Sequence, residues 1–511
     1  MLNVNETNRS ETLIMKPQST FSPVALRYIA ALRGNKPKRT GTAFTYAEIA
    51  CSNPNKLICL AASNPEGRFY GFVADEATRR ASEQEADKRG TFNAVFLVGT
   101  PSETLARIAN GSSLPPMLDY LCCDESTKPL SAAEHAALFD LAQKRLNPGG
   151  LFTVSYRAHD RDDGALRFIV RELTPSMNDE QQQVFLTELK RLGSTYLAQH
   201  ADVAARLNDA IVKGTPKNFF SLYDTAPAMS ATADTIAAMR ARGLSYAGDA
   251  TLTSNYVELA VPVEAQELIV GFRTNPLYES IKDFAINRLV RSDIWIHSPA
   301  APSGNPAELF GGFAYGIIMP RDQIPAKHVA QGKTIDLSGK LYGKLLDLMS
   351  LMPVGVGDVL SHPAGQGEQP EKILEALQIL VACGIASPMR GQMTSTVSDS
   401  TAQPRLVGSF NRYLDKTDLT DKDVYLSSQV MGCGITFSAR EAFVMQAVNR
   451  AGLTNSVSAL MPELRRIAHT PASMSVIKAD EATPEMALSL VRDVVGKSLP
   501  QWYAYALLEA A

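Results

Sequence analysis

Between residues 44 and 174, short apolar runs alternate with segments in which apolar residues recur at helical spacing. The apolar runs have the length of strands and are FTYAEIA, RFYGFVA, NAVFLVG, MLDYLCC and LFTVSY. The helical spacing covers residues 57–63, 77–89 and 132–146. Runs of this kind need burial on both faces, which alternating helices supply in a parallel sheet. The pattern therefore predicts an α/β domain with five parallel strands.

Three further regions flank this domain, and the pattern of each differs from it. Residues 1–40 are a polar lead-in with a helix predicted over 23–33, which Gly34 ends. Residues 176–300 predict a mixed middle domain, with helices over 181–197, 201–212, 231–242 and 276–290. The Pro-, Gly- and Ser-rich stretch 298–312 is typical of a linker. Residues 301–511 predict a mainly helical region, with helices over 341–351 and 371–383 and a last helical segment from about 434.

Composition and charge exclude several classes of protein. At 511 residues, with 45% apolar and 20% charged residues, the chain is a multidomain globular protein rather than a disordered one. Its net charge of −3 disfavours nucleic acid as a partner. The six cysteines form no CxxC pair, and neither a signal peptide nor a long apolar segment is evident. We therefore expect a cytoplasmic protein without a structural metal or a membrane span.

The first place to look for a ligand is the loop after the first predicted strand, because ligands of doubly wound sheets bind at the carboxyl ends of the strands. This loop follows Glu48 and runs through Ala50 and Ser52 to Pro54. Glycine would let the backbone approach a ligand closely, but the loop has none. These residues alone are equally consistent with a cofactor-binding loop and with an ordinary strand-to-helix connection that binds no cofactor.

Six segments in a fixed order carry a family resemblance. They are AEIACSNPNKLICLAASNPEGRFYGFV from Ala47, DYLCCDESTKPL from Asp119, LNPGGLFTVSYRAHDRDDG from Leu146, AAMRARGLSYAGDA from Ala237, PVEAQ from Pro262 and DFAINRLVR from Asp283. In these segments the chain resembles class I S-adenosylmethionine-dependent methyltransferases with a methyltransferase regulatory domain, the branch that includes rickettsial outer-membrane-protein lysine methyltransferases. The resemblance spans roughly residues 20 to 300 and is weaker beyond them.

The resemblance implies a Rossmann-like methyltransferase domain over 41–175, a regulatory or substrate domain over 176–300, and a winged-helix-like unit within 301–511. The implied cofactor is S-adenosylmethionine, and the implied acceptor is the amine of a protein lysine. The positions that match the family's cofactor contacts are Glu48, Ala50, Ser52, Asn53 and Val73. Those that match its reaction site are Asp119, Cys123, Asp124 and Tyr156, and those that match its substrate-facing segment are Tyr223 and Asp224.

The chain departs from the family where the cofactor should bind. Ala50, Ser52 and Pro54 replace the loop glycines, and Val73 replaces the acid that holds the ribose hydroxyls, unless Asp75 takes that role. Side chains in strained backbone cost about 1–3 kcal/mol each, so two such terms weaken binding about a thousandfold or more. The favoured hypothesis is a silent or weak cofactor binder that acts through a protein partner, either a substrate or a methyltransferase paralogue. The alternative is an active lysine methyltransferase.

Several candidate residues also have a structural interpretation. Cys122 and Cys123 end a strand and favour a role as small core residues over one as nucleophiles. Tyr156 either faces a pocket or packs, and the pair at 223 and 224 either contacts substrate or caps a helix. The acidic loop at 159–163 lacks the glycine and distal Glu of a calcium loop, so no metal is predicted there. The sequence is also compatible with a homodimer.

Overall fold

We describe a computed structural model of the 511-residue chain. The described residues are 15–18, 20–36, 42–124, 130–157, 178, 180, 181, 184, 187, 188, 200–212, 232–275, 278–286, 288, 290–391, 404–416, 424–451, 499 and 501–510. The predicted helix at 181–197 and the acidic loop at 159–163 lie largely or entirely outside them.

The amino-terminal half is built around a doubly wound sheet, as the alternating pattern predicts. Its first elements are strand β1 (Lys16–Pro17) and helix α1 (Pro23–Leu32). The five predicted strands follow as β2 (Phe44–Ile49), β3 (Gly67–Val73), β4 (Ala94–Val98), β5 (Leu118–Cys123) and β6 (Leu146–Arg157). The helices between them are α2 (Pro54–Ala62), α3 (Glu76–Lys88), α4 (Pro101–Ala109) and α5 (Ala132–Arg145). All five strands run parallel to their neighbours within this set, which confirms the prediction.

Two strands from the middle of the chain complete this sheet. Helices α6 (Ala201–Val212) and α7 (Thr232–Arg240) precede β7 (Leu244–Asp249), and β8 (Val290–His297) follows later in the chain. Strand β8 pairs antiparallel with both β6 and β7, which gives a seven-stranded sheet in the order β4-β3-β2-β5-β6-β8-β7. Strands from both sides of residue 176 therefore share one sheet.

The helices between β7 and β8 are short. They are α8 (Val257–Ala260), α9 (Val263–Gly271) and α10 (Tyr278–Ala285). The prediction of one helix over 276–290 was wrong at its carboxyl end, because Val290 already begins β8. From there Arg291 and Asp293 point into a buried cluster of charges, which the helical spacing of apolar residues does not reveal.

Residues 298–510 add helices and small sheets. The helices are α11 (Pro306–Phe310), α12 (Lys340–Leu351), α13 (Val356–Ser361), α14 (Pro370–Ala382), α15 (Gly408–Arg412) and α16 (Ala439–Ala451). The strands are β9 (Phe313–Ile317), β10 (Lys327–Ala330), β11 (Lys333–Asp336), β12 (Ala386–Arg390), β13 (Pro404–Leu406), β14 (Val424–Ser428), β15 (Cys433–Phe437) and β16 (Leu508–Ala510). The predicted linker at 298–312 thus contains a helix, and the last helical segment begins with a strand.

The carboxyl-terminal region packs directly on the large sheet's first crossover helix. Strands β14 and β15 form a hairpin, and β1 joins β15 on its other side to make a three-stranded sheet. This sheet lies against α2. The carbonyl of Gly432 accepts hydrogen bonds from the Ser22 hydroxyl at 3.1 Å and from the Asn64 amide at 3.0 Å. Strand β1 and the carboxyl-terminal hairpin therefore meet beside α2, the helix that follows the first strand of the parallel sheet.

Candidate functional site

The order of the strands indicates where a ligand would bind. From β2 the chain proceeds to β3 and β4 on one side, and then crosses to β5 and β6 on the other. Such a reversal opens a crevice at the carboxyl ends of the two central strands. The structure has a cleft of about 660 Å³ there. Its lining residues are Gln18, Thr20, Phe21, Glu48, Ser52, Asn53, Lys56, Leu60, Asp124, Ser155, Val290, Ser292, Tyr425 and Thr436.

The loop between β2 and α2 keeps the backbone path of a glycine loop although it has no glycine. Ala50 has a φ of 53°, in the left-handed region that glycine adopts without strain. The next amide, of Cys51, donates to the carbonyl of Phe72 at 2.8 Å and so fixes the loop to β3. The Asn53 side chain then accepts from the Lys56 amide and caps α2. Ser52 and Asn53 reach the cleft, whereas Cys51 is buried beneath it.

Glu48 is the most perturbed acid of the cleft. Burial raises its pKa to about 7, the charge of Asp124 adds to the rise, and a hydrogen bond with the Cys51 side chain opposes it. Asp124 follows the last residue of β5 and also lines the cleft. The structure therefore brings two of the predicted acids together at the strand ends, together with the ammonium of Lys56.

Neither Val73 nor Asp75, at the end of β3, is among the described residues that line the cleft. Val73 is 1% exposed and packs in the hydrophobic core, so its side chain does not line the cleft, where a contact with the cofactor was predicted. The alternative acid, Asp75, accepts from the Thr78 amide at 2.7 Å and caps α3. These hydrogen bonds hold the pKa of Asp75 below its usual range. The loop path suits S-adenosylmethionine, but the residues at its expected ribose position do not.

Two predicted reaction-site residues lie away from the cleft. Asp119 is near the start of β5, at the opposite edge of the sheet from the strand ends. There its carboxylate accepts from the Thr45 amide at 2.9 Å and from the Asn147 amide group at 3.1 Å, which ties β2 and β6 to β5. Cys123 is fully buried in the core. The structure therefore places Asp119 away from the predicted reaction site, because it lies near the amino end of β5 whereas ligands of such sheets bind at the carboxyl ends.

Tyr156 faces away from the cleft, into a buried cluster of charges. Its hydroxyl donates to Asp293 on β8. Arg291, which is fully buried, donates to Asp293 at 2.8 Å, to Asp283 at 2.8 Å and to Glu279 at 3.0 Å. Burial raises the pKa of Asp293 to about 6, while Arg291 opposes the rise. The Tyr156 side chain thus contributes to a network that joins β6 to β8 and α10.

Comparison with known proteins places this sheet and cluster in a known architecture. Residues 226–297, which include β7, β8 and α10, match the model of the predicted methyltransferase regulatory domain. The structure of PKMT2 from Rickettsia typhi superposes with a TM-score of 0.66 and 16% identity, over 96% of this chain and 99% of that one. The chain has the fold of a class I methyltransferase. It resembles the rickettsial lysine methyltransferases in that fold.

A second structure of the same rickettsial protein gives the same result. PKMT2 from Rickettsia typhi in complex with AdoHcy has a TM-score of 0.66 and 15% identity, over 96% of this chain and 98% of that one. Among curated proteins, none matches the chain in sequence. The methyltransferase fold is therefore established by structural similarity, at low sequence identity.

Sequence reasoning missed the part of the cleft that comes from outside the first domain. Ser155 and Ser292 share a hydrogen bond of 2.8 Å between β6 and β8 and line the cleft. Tyr425 and Thr436 reach it from the carboxyl-terminal hairpin. No motif marks these residues, because they meet only through long-range strand pairing. Tyr223 and Asp224 lie outside the described residues.

No helix among the described residues is long and apolar enough to cross a bilayer. In the same residues, no group of three or more His, Cys, Asp or Glu side chains is arranged to hold a metal ion.

Proposed function

We propose that this chain is a methyltransferase-like protein that binds S-adenosylmethionine weakly or not at all and acts by binding a protein. The observation that carries the proposal is the end of β3, where Val73 is part of the core and Asp75 caps a helix. A hydrogen bond to a charged acceptor contributes about 1.5–3 kcal/mol. Loss of the ribose acceptor alone thus weakens binding about tenfold to a hundredfold.

The loop side chains add to this effect. Ser52 and Asn53 occupy positions at the cleft where the resemblance implies glycine or close backbone approach. Each extra side chain competes with the cofactor for the space nearest the backbone amides. The cleft itself stays open, since its lining includes neither Cys51 nor Pro54. An open cleft without a ribose acceptor favours a role for this surface in protein recognition.

Calorimetry tests the proposal directly. Purified full-length protein is titrated with S-adenosylmethionine and, separately, with S-adenosylhomocysteine. We expect no saturable heat below about millimolar ligand, since two unfavourable terms reduce affinity about a thousandfold. A dissociation constant in the micromolar range for either ligand would contradict the proposal. Thermal unfolding with and without ligand provides an independent measure, because a ligand that binds only the folded state raises its stability.

The second candidate is an active protein-lysine methyltransferase. The glycine-like path of the loop at Ala50 supports it, as does the likeness over nearly the whole chain to PKMT2, whose structure was also determined with AdoHcy. Transfer from an activated sulfonium depends mainly on alignment, so few residues would signal activity. Incubation with methyl-labelled S-adenosylmethionine and lysine-containing protein tests it. Label incorporated into lysine would favour this candidate over the first.

A further inference from the structure

A second cavity, of about 310 Å³, lies between the parallel-sheet domain and the carboxyl-terminal region. One wall comes from the last turn of α2 and the segment between α3 and β4, and the other comes from α15, β14 and the segment before β16. We call it the α2–α15 pocket. Lys56, on the first turn of α2, lines the cleft, whereas Ala61 and Ala62 on its last turns line this pocket. The two cavities are therefore separate and lie toward opposite ends of one helix.

The two walls of the α2–α15 pocket are held together by a close contact. The Ser409 hydroxyl donates to the Gly90 carbonyl at 3.2 Å. Gly90 has a φ of 65°, and a Cβ atom there would lie 2.7 Å from the Ser409 hydroxyl oxygen, so glycine is required for this approach. The Arg89 guanidinium lies over the Phe410 ring, 4.9 Å from its centre. These contacts fix the shape of the pocket before any ligand enters.

The lining of the α2–α15 pocket is apolar and aromatic, with few polar groups. No charged side chain is among the described residues that line it. Phe410 and Phe92 supply aromatic surface, and the Phe92 side chain is largely open to solvent, since the residue is 80% exposed. Thr91 is 4% exposed, and its buried hydroxyl has no hydrogen-bond partner in the described part of the chain. A cavity of this size and lining, at a junction between domains, is typical of a small-molecule site.

The chemistry of the lining selects the kind of ligand. An ion would lose its hydration without gaining an opposite charge, so the lining favours an uncharged molecule. A flat ring can stack on Phe92, and such stacking adds to the gain from apolar burial. A ring N–H can donate to the Thr91 hydroxyl, which is otherwise a buried polar group without a partner.

We propose that the α2–α15 pocket binds a small uncharged aromatic heterocycle, which stacks on Phe92 and donates a ring N–H to Thr91. This site goes beyond the proposed function, because it does not depend on what the cleft binds. A ligand in this position contacts both walls of the pocket. Its binding should therefore stabilise the contact between the parallel-sheet domain and the carboxyl-terminal region.

The test uses indole as the probe, with two analogues that each change one property. Full-length protein is titrated by ligand-observed NMR, and its thermal unfolding is followed with and without the probe. Indole should bind saturably and raise the melting temperature. We expect 1-methylindole, which lacks the N–H, to bind about threefold to tenfold more weakly. Indole-3-carboxylate should show no saturable binding, because its charge finds no partner in the lining.

Three variants locate the bound probe. Phe92→Ala should weaken indole binding about threefold to tenfold, and its exposed position makes loss of the fold unexpected. Thr91→Val, which keeps the shape of the side chain, should abolish the preference for indole over 1-methylindole. Phe21→Ala, the matched removal of an aromatic ring from the cleft, should leave indole binding unchanged.

Three results would overturn the proposal of a ligand site in the α2–α15 pocket. The first is a wild-type protein that does not bind indole up to the solubility limit of the probe. The second is unchanged indole binding by both Phe92→Ala and Thr91→Val, with circular dichroism showing that the variants are folded. The third is loss of indole binding in Phe21→Ala, which would place the probe in the cleft.

Discussion

Arg390 on β12 and Glu66, just before β3, form a two-point ion pair across 324 residues of sequence. The guanidinium donates to the two carboxylate oxygens of Glu66 at 2.6 and 3.2 Å, and it also donates to the Asn64 side chain. The side chains are 9% and 20% exposed, so solvent screens the pair only in part. This contact joins the carboxyl-terminal region to the end of α2, the helix that begins at the loop after β2.

Glu66→Gln should therefore lower the free energy of unfolding by about 2 kcal/mol, because it leaves a largely buried guanidinium with a weaker partner. Urea unfolding followed by circular dichroism measures the change. The matched control is Glu509→Gln, which removes the exposed pair with Arg412 at 3.2 Å and should cost less than about 0.5 kcal/mol. Equal effects of the two variants would show that the Arg390 pair is not a special link between the regions.

Tyr156→Phe should destabilise the protein by about 1–3 kcal/mol, since it removes a buried donor to Asp293. It should also raise the pKa of Asp293 further, because the hydrogen bond with Tyr156 lowers that pKa. Thermal unfolding provides the measurement, and Tyr342→Phe controls for the loss of a tyrosine hydroxyl elsewhere. A stable Tyr156→Phe protein with altered ligand binding would instead favour the predicted place of Tyr156 in the reaction site.

Glu48→Gln should change the pH dependence of stability. The folded-state pKa of Glu48 is raised to about 7 from an ordinary 4.5, so the folded protein retains a proton that the unfolded chain loses. Ionisation of Glu48 therefore lowers stability as pH rises from about 4.5 to 7. The variant lacks this loss, so its stability relative to the wild type should increase over that range. Solvent in the open cleft screens the interaction, so we expect the increase to reach at most about 2 kcal/mol. Parallel stability curves for the wild type and Glu48→Gln would contradict the prediction.

Ala50→Gly should stabilise the protein by about 0.5–1 kcal/mol. The substitution removes the strain of a left-handed backbone at a non-glycine residue, and this gain exceeds the entropic cost of a more flexible unfolded chain. Ala77→Gly, at an exposed position on α3, should lose about 1 kcal/mol. Chemical denaturation of both variants checks the difference in sign. If Ala50→Gly were as destabilising as Ala77→Gly, the strained loop path would be in doubt.

Restoring cofactor binding needs more than loop glycines. Ala50→Gly, Ser52→Gly and Pro54→Gly together with Val73→Asp should recover S-adenosylmethionine binding if only these positions have changed from the family pattern. The structure adds a cost, since Val73→Asp introduces a carboxylate into the core. We therefore expect lower stability without ligand and a rise in melting temperature with it, measured by calorimetry. The variant with the three loop substitutions alone, Ala50→Gly, Ser52→Gly and Pro54→Gly, is the control, and a folded quadruple variant without binding would extend the defect beyond these residues.

The sequence by itself determined the five parallel strands and the crossover helices. Their apolar runs and spacings are local properties, and each run needs burial on both faces wherever its neighbours lie. The ordered motifs also indicated a methyltransferase-like chain. Glu48, Ser52, Asn53 and Asp124 line one cleft in the structure, because strand ends of a doubly wound sheet converge.

Only the tertiary structure decided which segments line the cleft and which of the predicted site residues reach it. The antiparallel addition of β7 and β8, the turn of Tyr156 toward Asp293, and the position of Asp119 at the far edge depend on strand register, where a shift of one residue reverses the face of every side chain. Tyr425 enters the cleft through a hairpin hundreds of residues from Glu48 in sequence. Local patterns carry no signal for such long-range pairing, because its free energy arises only when the distant segments pack together.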